Sequence, residues 1–299
     1  MGNGILDRAK FSDVYFDLNT LFNNALAEAP RVAEQVSTVI RMDAPLMKYK
    51  WLGAVPTMKK WVGEREIAKL RAQSQIIENE DWANGIEVER DDLDDDKLGI
   101  VAPRIRDLAQ KGLDAMEEEV IGFYLDGFAG TRGLTYDGQY LFDTDHKAET
   151  SSDDSQDNVS SDAFDDAGAA LVTGYTAMLE FKDKNGKPLG IRPTALLHGP
   201  AIWNNVRKVL QTPFLSGGAT NPNFGLVQPI MSKYITGNEW FLIDTTQGAM
   251  PVILQIRRDP TFRENGNDLF FSKKSFEFGA DATFGVGYGL WQTVFGSDG

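Results

Sequence analysis

A chain of 299 residues with 42% hydrophobic and 11% aromatic content can bury a substantial core, which excludes global disorder and leaves room for one large domain or two moderate ones. Its 44 acids against 30 bases give a net charge of -14, the wrong sign for a groove that neutralises phosphates. The absence of cysteine removes disulfide scaffolds, thiol nucleophiles and thiolate metal sites together.

The amino terminus, MGNGILDRAKFSDVYFDLN, mixes charge with apolar residues and has no signal-peptide core. Leu6 stands where a myristoylation signal needs Ser or Thr. No apolar run reaches membrane-spanning length, so a non-secreted chain with no membrane partner is expected. A helix is predicted over 12–27, with Ser12 as its N-cap and Asp13 in its first turn. Phe16, Leu18, Leu21, Phe22 and Ala25 give it an apolar stripe.

From Met47 the pattern becomes extended, broken by Gly53 and Pro56. Residues 51–100 carry three of the six tryptophans, Trp51, Trp61 and Trp82, on a segment too polar to be a core. Aromatics placed that way need a surface outside the segment, here another copy of the same chain. A two-stranded excursion with its tip near 55–66 is expected, returning into a strand over 86–93. The acids from Glu87 to Asp96 mark a solvated edge or turn.

The strongest helical pattern follows. Pro103 suits a first helical position, and Ile105, Leu108, Leu113, Met116, Val120, Tyr124 and Phe128 continue one apolar stripe. At ~1.5 Å per residue, a helix over 103–128 is about 39 Å long. Residues 129–160 read as loop. A second helix is expected to be capped by Ser161 or Asp162, with Asp165 and Asp166 in its first turn, and to run to about 181. A buried strand over 194–197 and a helix over 201–210 come next, then a Gly- and Asn-rich loop over 214–224. Strands over 226–235, 240–244, 252–257 and 274–290 complete the chain. In the last, Gly279, Gly285, Gly287 and Gly289 read as bends or bulges.

Catalytic signatures are scarce. Asp143, Asp145 and His146 could be taken as a metal or acid–base cluster for a hydrolase, but a surface loop is the stronger reading. His198, in LLHGP between a strand and a helix, reads as a structural histidine. The aspartate run from Asp91 to Asp96 lacks calcium-loop spacing, so it and Asp153 to Asp157 read as solvated charge, and Gly285 to Leu290 lacks the strand-then-helix setting of a dinucleotide fingerprint. Lys59 and Lys60 read as surface charge. No catalytic constellation stands out, and no cofactor is expected.

WLGAVPTMKKWVGER followed by VERDDLDDDKLGI resembles the major head subunit family of Mu-type phages. The likeness continues through FKDKNGKPLGIRPTALLHGP, NEWFLIDTT and FEFGADATFGVGYGLWQ, from about Lys48 to Gln292. It implies an α+β chain with the Hong Kong 97 fold of tailed-phage capsids. The arm would be 1–46, the extended loop 47–84, and the peripheral domain 85–133 around the spine helix. The axial domain would be 134–264, and the strands of 265–299 would return to the peripheral domain.

The function implied is a non-enzymatic subunit that self-assembles into the icosahedral shell enclosing phage DNA, made in the bacterial cytoplasm and ending in the virion. Its implied contacts are hexamers and pentamers of itself, a separate scaffolding protein, a maturation protease, a portal and decoration proteins. Trp51, Lys59, Lys60, Trp61, Arg65 and Trp82 are the expected intersubunit contacts. An encapsulin-like compartment or another self-assembling phage part is the alternative, with the hydrolase behind both.

Overall fold

Three polypeptide stretches cross between two sheets, and one long helix packs on both. The computed structural model describes residues 8–49, 75–89, 92, 98–147, 155–183, 186–215, 217–265 and 275–299. Helix α1 (Arg8–Glu28) and the short α2 (Val32–Val36) lead into β1 (Thr38–Arg41), β2 (Leu46–Tyr49), β3 (Gln75–Glu78) and β4 (Glu80–Glu89). Helix α3 (Leu98–Asp126) precedes the short strands β5 (His146–Lys147), β6 (Ser155–Gln156) and β7 (Val159–Ser160). Then come α4 (Ala169–Glu180), β8 (Ala195–His198), a 3-10 turn at Pro200–Ile202, α5 (Trp203–Gln211), β9 (Gln228–Met231) and β10 (Trp240–Ile243). Two 14-residue strands, β11 (Val252–Asn265) and β12 (Ser275–Tyr288), are followed by a 3-10 turn and β13 (Val294–Ser297).

The four-stranded sheet has the order β1-β11-β12-β4, with β1 parallel to β11 and the other pairs antiparallel. The five-stranded sheet has the order β7-β13-β10-β8-β9. Its edge strands β7 and β9 run parallel to their neighbours. Sheet membership departs from the expected division at 264/265. Residues 252–265 lie in the four-stranded sheet, whereas Val294–Ser297 crosses to the five-stranded one. Pairing partners far away in sequence decide this, and no local pattern encodes them.

Helix α3 joins the two cores. Val101, Ile105 and Leu108 are buried with Phe262, Phe276 and Phe278, while Leu113, Met116, Val120 and Tyr124 are buried with the five-stranded sheet. Each such side chain contributes roughly 1.5–3 kcal/mol of burial. The helix starts five residues before the predicted Pro103, which is internal. Val101 extends the stripe backward by a turn, and its burial outweighs the one hydrogen bond that Pro103 withholds. Similarly, α1 begins at Arg8, so Ser12 and Asp13 lie inside it. Leu18 and Phe22 of its stripe are buried, but Phe16 is 68% exposed.

Helix α4 begins at Ala169, later than a cap at Ser161 or Asp162 allows. Asp165 does the capping from outside the helix, accepting hydrogen bonds from Ala167, Ala169 and Ala170 N–H at 2.7, 3.2 and 3.0 Å. Burial would raise its pKa, but these bonds outweigh it and hold the carboxyl below the usual range.

Candidate assembly surfaces

The excursion is anchored at its base. Strands β2 and β3 pair antiparallel from Leu46↔Glu78 to Tyr49↔Gln75, so the chain leaves and re-enters the body side by side. Tyr49 and Ile77 are buried against Ile253 of β11. The Tyr49 phenol donates to Gln255 Oε1 at 2.7 Å, and Gln255 Nε2 donates to Asn79 Oδ1 at 2.8 Å. Asn79 in turn donates from its backbone N–H to Pro45 O and from Nδ2 to Ala44 O, at 2.9 and 2.8 Å. Burial pushes the Tyr49 phenol up to about 12, so it stays a donor at neutral pH.

Gly285 and Gly287 of β12 serve this crossing rather than bulges. A Cβ on Gly287 would stand 2.6 Å from Ile77 Cγ1, and one on Gly285 would overlap the Glu78 carbonyl. The register shifts lie instead in β11, between Ile256 and Thr261. Glycine here clears space for β3 to lie across the sheet.

Of the expected intersubunit residues, Trp51, Lys59, Lys60, Trp61 and Arg65 lie outside the described residues. Trp82 is half-buried within its own chain. It sits in β4 opposite Ala282 and stacks on Phe284 of its own chain, centroids 5.0 Å apart and planes 10° apart. The return strand therefore begins at Glu80, and residues 80–84 belong to the four-stranded sheet rather than to the loop. The inward set Trp82, Asn84, Ile86 and Val88 has strand periodicity. Asn84 and Gly85, poor strand formers, hid it.

His146 is buried, not in an exposed loop. Its Nδ1 lies 2.8 Å from Asp137 Oδ2 and its Nε2 3.1 Å from Leu141 O, and its ring stacks on Trp291 at 4.2 Å. Both nitrogens are occupied by protein oxygens, which leaves none to hold a metal. Burial alone would raise the Asp137 carboxyl, but hydrogen bonds led by His146 hold it below its usual range. Asp143 accepts the Asp145 N–H at 3.2 Å, and Asp145 faces Ser155 Oγ at 3.4 Å, so the two carboxylates are tied to local groups. Among the described residues no His, Asp or Glu group is placed to hold a metal ion. His198 is buried, with Nδ1 donating to Gly199 O at 2.8 Å, and burial lowers its pKa.

One exposed apolar surface carries no sequence motif of its own. Phe214, Leu215 and Phe224, beyond the end of α5, are 61%, 46% and 53% exposed, and Trp203 at its start is 47% exposed. The surrounding glycines and asparagines gave this segment the look of a plain loop. Pro213-Phe214-Leu215, three apolar residues in a row, was the available signal.

Comparison with known proteins now decides the family. The model of the Mu-like prophage major head subunit gpT matches residues 11–173, 166–235 and 229–299. The chain belongs to that family. It is 27% identical over 295 residues to the Mu-like prophage FluMu major head subunit of Haemophilus influenzae, covering 98% of this chain and 73% of that one. It is 25% identical over 274 residues to the major capsid protein of Escherichia phage Mu, covering 91% and 68%. In structure it resembles the procapsid subunit of bacteriophage JBD30, with a TM-score of 0.59 at 24% identity over 98% of this chain and 76% of that one.

The α+β fold is that of tailed-phage capsid subunits, the Hong Kong 97 fold. The chain is a major head subunit, a structural part of the virion that assembles with copies of itself into a shell. The family is one of structural subunits rather than enzymes, which sets the hydrolase reading of Asp143, Asp145 and His146 aside.

Proposed function

We propose that this head subunit forms hexamers and pentamers that close into an icosahedral shell around phage DNA, with the segment from Lys50 to Ser74 reaching onto a neighbouring copy. The observation that carries this reading is the hairpin base. Tyr49 and Gln75 are locked side by side on β11, so the 25 intervening residues leave and return at one point on the body. Trp51, Lys59, Lys60, Trp61 and Arg65 then supply aromatic anchors and charge for contacts between copies, since a few such residues carry most of an interface's energy. With 44 acids against 30 bases, the shell holds DNA by enclosure rather than by sequence-specific contacts.

Assembly takes place in the bacterial cytoplasm with a separate scaffolding protein, a maturation protease, a portal and decoration proteins. In this reading the loop ends before Glu80, 252–265 goes with the peripheral division through the four-stranded sheet, and 294–297 goes with the axial division through the five-stranded one. Negative-stain microscopy of the expressed protein tests the reading through closed shells of uniform diameter. Trp61→Ala and Arg65→Glu should leave the subunit folded and lower shell yield. Normal shells from both variants would remove the extended segment from the assembly contacts.

A further inference from the structure

Four elements run through both apolar cores, and all four change core at one level. In α3, Val101, Ile105, Leu108 and Ala109 belong to the core shared with α1, and the residues from Leu113 onward to the core under the five-stranded sheet. The changeover falls between Ile256 and Phe262 in β11, between Ala280 and Ala282 in β12, and between Trp82 and Ile86 in β4. These points adjoin in the sheet, because Ala280 pairs with Asn84 on one side and with Phe262 on the other. Together they mark a seam across the body.

Each element is weak where it crosses. Helix α3 carries Gly112, a poor helix former, inside its 29 residues. Strand β11 loses register between Ile256 and Thr261, a stretch that holds Pro260, which has no N–H to donate. A Cβ on Gly112 would stand 2.9 Å from Pro260 Cβ, so the helix rests on that irregularity at its own weakest point. Gly85 of β4 and Gly279 of β12 lie directly opposite each other, two residues with no side chain to pack. Trp82 Nε1 and Asn84 Oδ1 are buried at the seam with no hydrogen-bond partner among the described residues, although buried polar groups are ordinarily paired. On either side the packing is aromatic and close, Phe262 stacking on Phe278 at 5.7 Å and Phe123 meeting Tyr288 edge-on at 5.1 Å.

Just past the seam, α3 is clamped to the segment that follows β9. Lys233 Nζ donates to Asp114 at 2.7 Å and Ser232 Oγ to Glu117 at 2.6 Å, and both carboxylates are buried. The helix is therefore held from Asp114 onward, and any freedom is left to the residues before it.

We infer that the body bends along this seam, with α1, α3 up to Ala109 and sheet residues 85–89, 262–265 and 275–280 turning as one piece on the rest. Two close-packed cores move as rigid pieces, and the residues between them absorb the change. The use of such a bend rests on the shell reading above. One chain placed in both hexamers and pentamers meets its neighbours at two angles, and a flexible seam lets the same contacts serve both.

The chain has no cysteine, so spin labels go only where cysteines are introduced. Double electron–electron resonance on the full chain, diluted in unlabelled parent, compares two pairs of exposed helix positions. Arg104→Cys/Glu180→Cys spans the seam, and Glu118→Cys/Glu180→Cys lies on one side of it. Circular dichroism checks folding, and Arg106→Cys replaces Arg104→Cys if the first pair does not fold. The distance distribution across the seam should be about twofold wider than that of the one-sided pair, or more. Distributions of equal width would overturn the inference and leave the shell reading standing, because the bend is measured within a single chain. A parent that forms no closed particles would overturn the shell reading instead, and a wide distribution across the seam would still establish the bend.

Discussion

Gly285 lies directly beneath the carbonyl of Glu78, with no room for a Cβ between them. That contact lets the base of the hairpin cross β12. Gly285→Ala should destabilise the subunit by about 1–3 kcal/mol, the usual cost of forcing extra volume into a packed site. Chemical denaturation measures this. An unchanged midpoint would mean that β3 can lift away without loss.

Tyr49 ties the same hairpin to the sheet through Gln255. Tyr49→Phe leaves Gln255 Oε1 buried without that donor and should cost about 1–3 kcal/mol. The phenol is raised to about 12 in the folded chain against an unfolded value near 10. The folded state therefore holds the proton more tightly. Its contribution is complete below about pH 10 and declines as pH rises toward 12. Stability measured across that window should fall less steeply in Tyr49→Phe than in the parent.

Asp137 and His146 form a buried pair, in which His146 is the first donor to a carboxylate that Thr135 Oγ1 and Gln139 N–H also serve. His146→Ala should cost about 3–5 kcal/mol, because the buried carboxylate loses that donor and Trp291 loses its stacking face. Metal analysis of the purified parent provides a second check: stoichiometric zinc or manganese that disappears in the variant would contradict the structural role.

Asp114, on the buried side of α3, accepts from Lys233 Nζ at 2.7 Å, with Gln110 and Lys111 each at 3.2 Å. Burial opposes ionisation, but these donors, Lys233 first, keep its pKa below the ordinary value. A depressed carboxyl stabilises the fold above the unfolded value near 4 and loses that contribution as pH falls below it. Lys233→Met should therefore lower stability at neutral pH and flatten the acid branch of the curve. An acid branch as steep as the parent's would show that Lys233 does not hold this proton equilibrium.

Local pattern was enough for the elements that carry their own periodicity. The stripe from Ile105 to Tyr124 announces α3, and the apolar runs at Ala195–His198, Trp240–Ile243 and Val252–Ile256 announce strands because buried strands are apolar on both faces. The motif pairing around Trp51 and Asp94 pointed to the head subunit family, and the family match agrees. Element starts were less legible. Val101 pulled α3 past Pro103, and Asp165 capped α4 from a distance, since tertiary burial and side-chain reach override local signals.

The candidate surfaces were split in the same way. That the chain carries aromatics on polar segments was readable from residue order alone. That Trp82 stacks on Phe284, that His146 is sealed against Trp291, and that Gly285 and Gly287 make way for β3 all depend on partners more than a hundred residues away. Composition and periodicity report what a segment must bury. Which surface buries it is decided only when distant strands pair, because those contacts exist nowhere in the local sequence.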